Sequence, residues 1–531
     1  MRLWCRAVCL FLMLFVAIWC VDLASAQTLV NGANQTGTIF TNTTDSYNFT
    51  ANKGDTINLR AGTTGFNGYL QLYGPGSVLV ASIGGYKDDL IENYVATNSG
   101  TFTVQVSAWT VGGTGTYVLN LAQTPEAFIV PSGDEGGPLT NGADAVGTIT
   151  VGDQDMWTFT ANKGDTINLR AGTTGFTGFI ELFGPTGALL ASTGGYKDDL
   201  IEDYVATNSG TFTVLVSAWS VGGTGTYVLN LAQTPEAFIV PGSDEGGPLT
   251  NGADAAGTIT VGDQDMWTFT ANKGDTINLR AGTTGFTGFI ELFGPTGALL
   301  ASTGGYTDDL IEDYVATNSG TFTVLVSGWG AGGTGTYVLN LAQMPEPFVV
   351  PAGDQGGAMA GSANYSGTIN RGDQDIWTFT ACTGDSIGLG LNTTNFNGFL
   401  ELYGSSGTLL KSSGGSTVSS LAYTATNCGT FTVLVSSWGA GGTGTYGLTA
   451  DGLIDDLRLC SPVISGASLT LNGVGGPTNA VFVLYSATNI ATPFGLWTPV
   501  ITNQFNQFGV FTYTNGYNPA PPQRYFRFVL P

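Results

Sequence analysis

The segment GDQDMWTFTANKGDTINLRAGTTGF occupies residues 152–176 and returns letter for letter at 262–286. Looser copies lie at 42–66 and 372–396, so Asp45, Asp155, Asp265 and Asp375 hold one position at an offset of 110 residues. A fixed period of this length constrains the fold before any local pattern does. The chain must be one structural unit used four times.

The repeats span 27–123, 137–233, 247–343 and 357–451, and a separate tail runs from 463 to 531. Repeats two and three are nearly identical, so they must share one fold and one property. Within a repeat the hydrophobic period is two. Trp157, Phe159 and Ala161 alternate with Thr158 and Thr160; Ile167, Leu169 and Ala171 alternate with Asn168 and Arg170. Such alternation gives each strand one core face. Turn formers such as Gly164-Asp165, Pro185-Thr186-Gly187 and Gly222-Gly223 separate the runs. About eight short strands fit each repeat, which predicts an all-β chain. It is a tandem array of eight-stranded jelly-roll-like β-sandwiches with a smaller C-terminal β-sandwich. Segments such as 124–133 carry Pro, Gly and acid and read as short extended linkers.

Residues 1–26 have the form of a signal peptide. Arg2 and Arg6 precede an apolar run, and Ala24-Ser25-Ala26 is a small-residue cleavage site. No later stretch is apolar enough to span a bilayer, so the expectation is a secreted or cell-surface protein without membrane insertion after cleavage. The net charge is -24, with 15 basic and 39 acidic residues. Nucleic acid and anionic lipid need a basic face, so this balance disfavours both, and no nucleic-acid partner is expected. Cys382 and Cys428 replace the Asn and Ser of the other repeats. Their joint appearance in one repeat predicts a Cys382–Cys428 disulfide with Cys460 left over. Cys428–Cys460 is the rival pairing.

The order GDQDMWTF, GFIELFGPTGALLAST, an acidic loop, SGTFTVLVSAW and GTYVLNL resembles the bacterial pre-peptidase C-terminal domain, and the resemblance covers all four repeats. It departs from that pattern at Gly178 and at Thr43, where the family carries Asp. The resemblance implies an eight-stranded sandwich in exported proteins, often beside a secreted peptidase, with calcium and collagen binding in its best understood relatives. No peptidase domain accompanies the repeats here. The tail resembles a small sandwich module at the ends of some large exported bacterial proteins.

The chain has no histidine. That removes Ser-His-Asp and Cys-His catalysis, the usual zinc sites and a histidine general base, and the expectation is a non-enzymatic protein. The first candidate site is a set of carboxylates: Asp134, Glu135, Asp153 and Asp155; Asp244, Glu245, Asp263 and Asp265; Asp373 and Asp375 with Asp354. A D-x-D pair at the start of a strand, with an acidic linker folding back, gathers oxygens for calcium, a hard cation that takes six to eight. The alternative is ordinary turn chemistry in an acidic protein. Thr43 predicts a poor site in repeat one. A second acidic set, Asp198, Asp199, Glu202 and Asp203 with its copies, reads as a polar edge strand whose charges block edge pairing. Aromatic residues form the third candidate. If Ile180 and Leu182 face the core, Phe179 and Phe183 face out, and with Trp219 and Trp329 they are candidate ligand-binding rings. Arg371-Gly372-Asp373 spells an integrin tripeptide and reads as a turn coincidence.

These features predict extracellular binding or adhesion toward a polysaccharide or protein, with calcium as the stabilising ion. The alternatives are a structural stalk without a ligand and an accessory module of a secreted hydrolase system.

Overall fold

The computed structural model describes residues 27–330, 332–454, 456–516, 518 and 523–531, and residues 1–26, whose sequence reads as a signal peptide, lie outside them. Repeat two shows the unit. One sheet has five strands in the order Gly137–Pro138, Asp155–Ala161, Gly210–Ala218, Gly178–Phe183 and Leu189–Gly194. The other has four, Asp144–Ile149, Gly225–Thr234, Thr166–Thr174 and Asp198–Val205. Pairing is antiparallel except where the two-residue strand Gly137–Pro138 runs parallel beside Trp157 and Thr158. The other three repeats have the same order. Each is therefore an eight-stranded sandwich with one short added strand from the linker.

The alternation decides which faces meet. Trp157, Phe159, Ile167, Leu169, Ile180, Leu182, Phe212 and Val214 pack between the two sheets of repeat two. Tyr227 crosses the same core and lies over Gly147, where a Cβ would come within 2.4 Å of its ring. Each large buried side chain of this kind contributes roughly 1.5–3 kcal/mol.

The outer faces are not all solvated, because successive repeats dock. Phe183, Met156 and Leu215 leave the outer face of the five-stranded sheet and pack with Ala122 of the preceding repeat and Phe128 of the linker. Ala232, Phe238, Met266, Phe293 and Leu325 repeat this plug one period on. The linkers are part of the seam rather than free tethers. Asn31 donates to the carbonyls of Gln123, Glu126 and Ala127, and Ile129 donates to Asn31 O. Gly62 lies so close to the 151–152 turn that a Cβ on it would sit 2.3 Å from Val151 O.

A buried ion pair within one repeat reaches across each seam to the backbone of the next. Arg170 grips Asp198 through Nε at 2.8 Å and Nη2 at 2.7 Å, and its Nη1 donates to Gly328 O of repeat three at 3.0 Å. Gly332 of repeat three donates its backbone N–H to Asp198 at 2.8 Å. Arg60 with Asp88, and Arg280 with Asp308, do the same at the flanking seams. The first aspartate of the second acidic set is thus buried structure, although its strand does lie at a sheet edge.

The array is capped at both ends. Repeat one has Ser46, Tyr73 and Gln105, all half-buried, where repeat two has the buried plug Met156, Phe183 and Leu215. Repeat four has Gly390 and Val418 in place of the Arg and Asp, and an exposed Asp451 in place of Ala342. The polar outer face of repeat one is what the end of a stacked array requires for solubility, whereas repeat four lacks the ion pair and leaves Val418 exposed.

The tail forms two small sheets around Phe482, Phe505, Phe511, Leu471 and Leu484. It begins with the strand Arg458–Leu459, which pairs with Val474 and Gly473. That strand corrects the disulfide. The bond joins Cys382 to Cys460, with their Cα atoms 5.3 Å apart, and Cys428 is free. Cys428 keeps the task of the serine it replaces. Its Sγ accepts the N–H of Thr383, as Ser209 Oγ accepts that of Lys163. The bridge closes 78 residues and ties the tail to repeat four, worth about 4.5 kcal/mol on the chain-entropy account.

Candidate metal centre at the repeat junctions

The carboxylates of the first candidate set converge at the seams. The turn before the strand Asp155–Ala161 is closed by Asp153, whose N–H donates to Thr150 O and whose Oδ2 accepts from Thr150 N. Gly152 takes φ +88° there and leaves room for the preceding repeat. Gln154 reaches back to Asn120 Oδ1 at 3.3 Å. The GDQD motif is therefore a docking element as well as a strand start.

Asp155 opens that strand with its carboxylate turned inward. Tyr227 donates to Asp155 Oδ2 at 2.6 Å and accepts from Trp157 Nε1 at 2.9 Å. The other oxygen, Oδ1, is buried and takes no hydrogen bond among the described residues. Asp265 and Asp375 repeat this arrangement with Tyr337 and Tyr446. The linker brings Asp134 back onto the same spot, so oxygens of Asp134, Asp153 and Asp155 lie within 4.8 Å of one another.

At the next seam, two overlapping sets meet the same limit: Asp144, Asp244 and Asp263, and Asp244, Glu245 and Asp265. Asp354, Asp373 and Asp375 converge at the third. Burial, then neighbouring negative charge, pushes these groups up. Asp155, Asp265 and Asp375 rise to about 9, Asp263 and Asp373 to about 7, and Asp134 to about 6. A buried carboxylate with an unpartnered oxygen is costly unless a proton or a cation joins it.

The structure thus brings together Asp134, Asp153, Asp155, Asp244, Glu245, Asp263, Asp265, Asp373 and Asp375, and leaves Glu135 outside the close cluster. It adds Asp144, which comes from the preceding repeat and not from the linker or the D-x-D pair. Repeat one holds Asn34 at that position. Its Nδ2 donates to Asp134 Oδ2 and Asp153 Oδ1, each at 3.0 Å. The 110-residue offset between Asn34 and Asp144 is legible in the sequence, but only the seam gives it meaning. Gly372 and Asp373 of the integrin-like tripeptide are buried in the third seam.

The aromatic expectation is corrected in part. Phe179 and Phe183 do leave the core face of their strand but are buried. Phe183 is covered by the preceding repeat, and Phe179 lies edge-on to Trp219 at 5.2 Å between centroids. Trp219 and Trp329 remain more than half exposed, at 57% and 53%.

No family model matches the chain, and no curated protein does. Among solved structures, a single-particle cryo-EM structure of the arabinofuranosyltransferase AftD from Mycobacteria is 10% identical, covering 72% of this chain and 38% of that one, with a TM-score of 0.11. The match spans well under half of that protein's length, and likeness this low carries no argument.

Proposed function

We propose that the chain is an exported, non-catalytic adhesion rod whose repeats are stapled by calcium at their seams. The observation that supports it is the unpartnered, buried carboxylate oxygens of Asp263, Asp265, Asp373 and Asp375, each placed where two repeats meet. Asp144, Asp244, Glu245, Asp263 and Asp265 offer a cation the hard oxygens that calcium prefers. Binding there joins residues of two repeats and a linker, so the ion acts on the stiffness of the array as well as on each sandwich. The resemblance to pre-peptidase C-terminal domains points the same way.

Scanning calorimetry of the full chain in Ca²⁺ and in EDTA tests this reading. At a hundredfold excess over Kd each filled site adds about 2.7 kcal/mol. Equal melting in both conditions, with no heat on titration, would sink the calcium reading. The loss of the seam residues at the outer ends of repeats one and four favours a second reading, a structural stalk of fixed length. On that reading the stapled rod has no ligand beyond the ion, and surfaces coated with glycans or matrix proteins retain none of it.

A further inference from the structure

Four tryptophans share one place in their repeats: Trp109, Trp219, Trp329 and Trp438, each 53–57% exposed. Each indole is fixed. Trp219 lies on Gly194 and Gly195, where added Cβ atoms would sit 2.7 and 3.3 Å from the ring, and its backbone N–H donates to Thr177 O. Tyr69, Phe179, Phe289 and Phe399 brace the four rings edge-on. One face of each indole is thus backed by glycine backbone, and the ring is held without a mobile partner.

The seams extend this into a stripe. Tyr86, Tyr196 and Tyr306 are 55%, 62% and 61% exposed. Tyr86 stands two residues before Asp88, which accepts the N–H of Gly222, three residues after Trp219. Arg60 meanwhile donates to Ala218 O, directly before Trp219. The same bonds bring Tyr196 to the Trp329 loop and Tyr306 to the Trp438 loop. Docking therefore sets each exposed Tyr loop beside the exposed Trp loop of the next repeat, in the order Trp109, Tyr86, Trp219, Tyr196, Trp329, Tyr306, Trp438. Repeat four ends the series with Ser416 in place of the tyrosine.

We infer that this stripe is the binding edge of the rod and that its occupant is a neutral linear polysaccharide lying along it. The inference rests on the adhesion reading above and names its ligand. Three features select that class. The rings recur at a fixed period, as does a polymer of identical units. They are separated by short loops rich in Gly, Ser and Thr, broken by Val111, Val221 and Ala440 and, beside two of the tyrosines, by Lys87 and Lys197, so the rings stand apart and do not merge into one apolar patch of the kind that invites a protein interface. The net charge of -24 opposes polyanionic glycans. A flat ring with one open face stacks on the apolar face of a sugar ring. Several weak platforms on one rod add by avidity, up to 10²–10⁴-fold over a single site on the order-of-magnitude scale for linked sites.

The test is retention of the full chain on microcrystalline cellulose, chitin and an insoluble β-1,3-glucan, with alginate and collagen as comparison surfaces, in Ca²⁺ and in EDTA. The expected result is retention on at least one neutral glycan and none on alginate. The double variant Trp219→Ala/Trp329→Ala should lower apparent affinity by about a hundredfold or more. Because those rings also pack on neighbours, Tyr196→Ala/Tyr306→Ala is the second variant. It removes two rings that are 62% and 61% exposed and brace none of the four indoles, and should lower affinity about tenfold at nearly unchanged melting temperature. Unchanged retention of both variants would overturn the stripe. Retention on collagen but on no neutral glycan would overturn the ligand class and leave the adhesion reading intact. Retention on none of the surfaces would overturn both, while calorimetry would still report the calcium staple separately.

Discussion

The seam between repeats one and two and the seam between repeats two and three have the same geometry and different chemistry. Both use a bidentate Arg–Asp pair, a pair of glycines at backbone contact and an apolar plug. In the first seam two amides face the acids. Asn34 donates to Asp134 and Asp153, and Asn93 donates to Glu181 at 2.6 Å. In the second seam aspartates stand in those places: Asp144 faces Asp244 and Asp263, and Asp203 faces Glu291. An amide satisfies a carboxylate with its own N–H. An acid opposite an acid needs something from solution, a cation or a proton. The first seam is therefore closed in larger part by its own side chains, with Asp155 Oδ1 still unpartnered, and the second depends more on the medium.

The largest expected effect comes from breaking what the two seams share. Arg170 and Asp198 are each 1% exposed in their side chains. Arg170→Ala leaves Asp198 buried without its cation, which costs roughly 3–5 kcal/mol. The same change at Arg60 should cost a similar amount, since Arg60 and Asp88 are equally enclosed. Small-angle scattering should show the rod bending or lengthening at the altered seam, and calorimetry should show a transition splitting from the rest. A variant that melts and scatters like the parent would show that the seams do not hold the repeats together.

The next effect separates the seams. Asp144→Asn gives the second seam the amide of the first. In EDTA this variant should melt at least as high as the parent, because a negative charge facing Asp244 and Asp263 is gone while the oxygen of the new amide can still accept from Asn230. In saturating Ca²⁺ it should lose about 1–3 kcal/mol of the stabilisation that the parent gains, the range for a group deprived of a charged partner. Asn34→Asp should move the first seam the opposite way. Titration calorimetry checks both. Equal calcium responses of parent and Asp144→Asn would remove Asp144 from the site.

Much of this is legible in the sequence and part is not, for a physical reason. Period-two alternation places Trp157, Phe159, Ile167 and Leu169 in the core because a strand has only two faces. The same alternation puts Arg170 and Phe183 on the outer faces. It cannot say that those faces are buried, because burial there depends on a neighbour one period away. The signal is present in the terminal repeats: Ser46 and Gln105 where repeat two has Met156 and Leu215, and Gly390 and Val418 where repeat three has Arg280 and Asp308. Those differences mark positions that only internal repeats need to bury. Cys460 escapes a sequence reading for a related reason. It belongs to the tail in sequence, but the strand Arg458–Leu459 carries it against repeat four.

The smallest effect, and the one that isolates a proton from a metal, lies at Asp203. Glu291 is held above its ordinary 4.5 by burial and then by the charges of Asp203 and Glu202, while Glu181 at the first seam rises only to about 7 with Asn93 donating to it. A carboxyl whose folded value is raised stabilises fully below the unfolded value and loses that contribution as pH climbs through the folded one. The contribution of Glu181 is thus shed between about 4.5 and 7, and that of Glu291 goes on being shed at higher pH. Asp203→Asn should remove most of that upper loss. Asparagine suits the backbone there, since Asp203 has φ 51° and Asn93 has φ 54°. Melting in EDTA should show no difference from the parent at pH 4.5 and a gain of about 1 kcal/mol at pH 8, a tenfold difference in proton affinity being worth about 1.36 kcal/mol. Parallel pH profiles for parent and variant would mean that the Asp203–Glu291 pair carries no proton-dependent part of the seam.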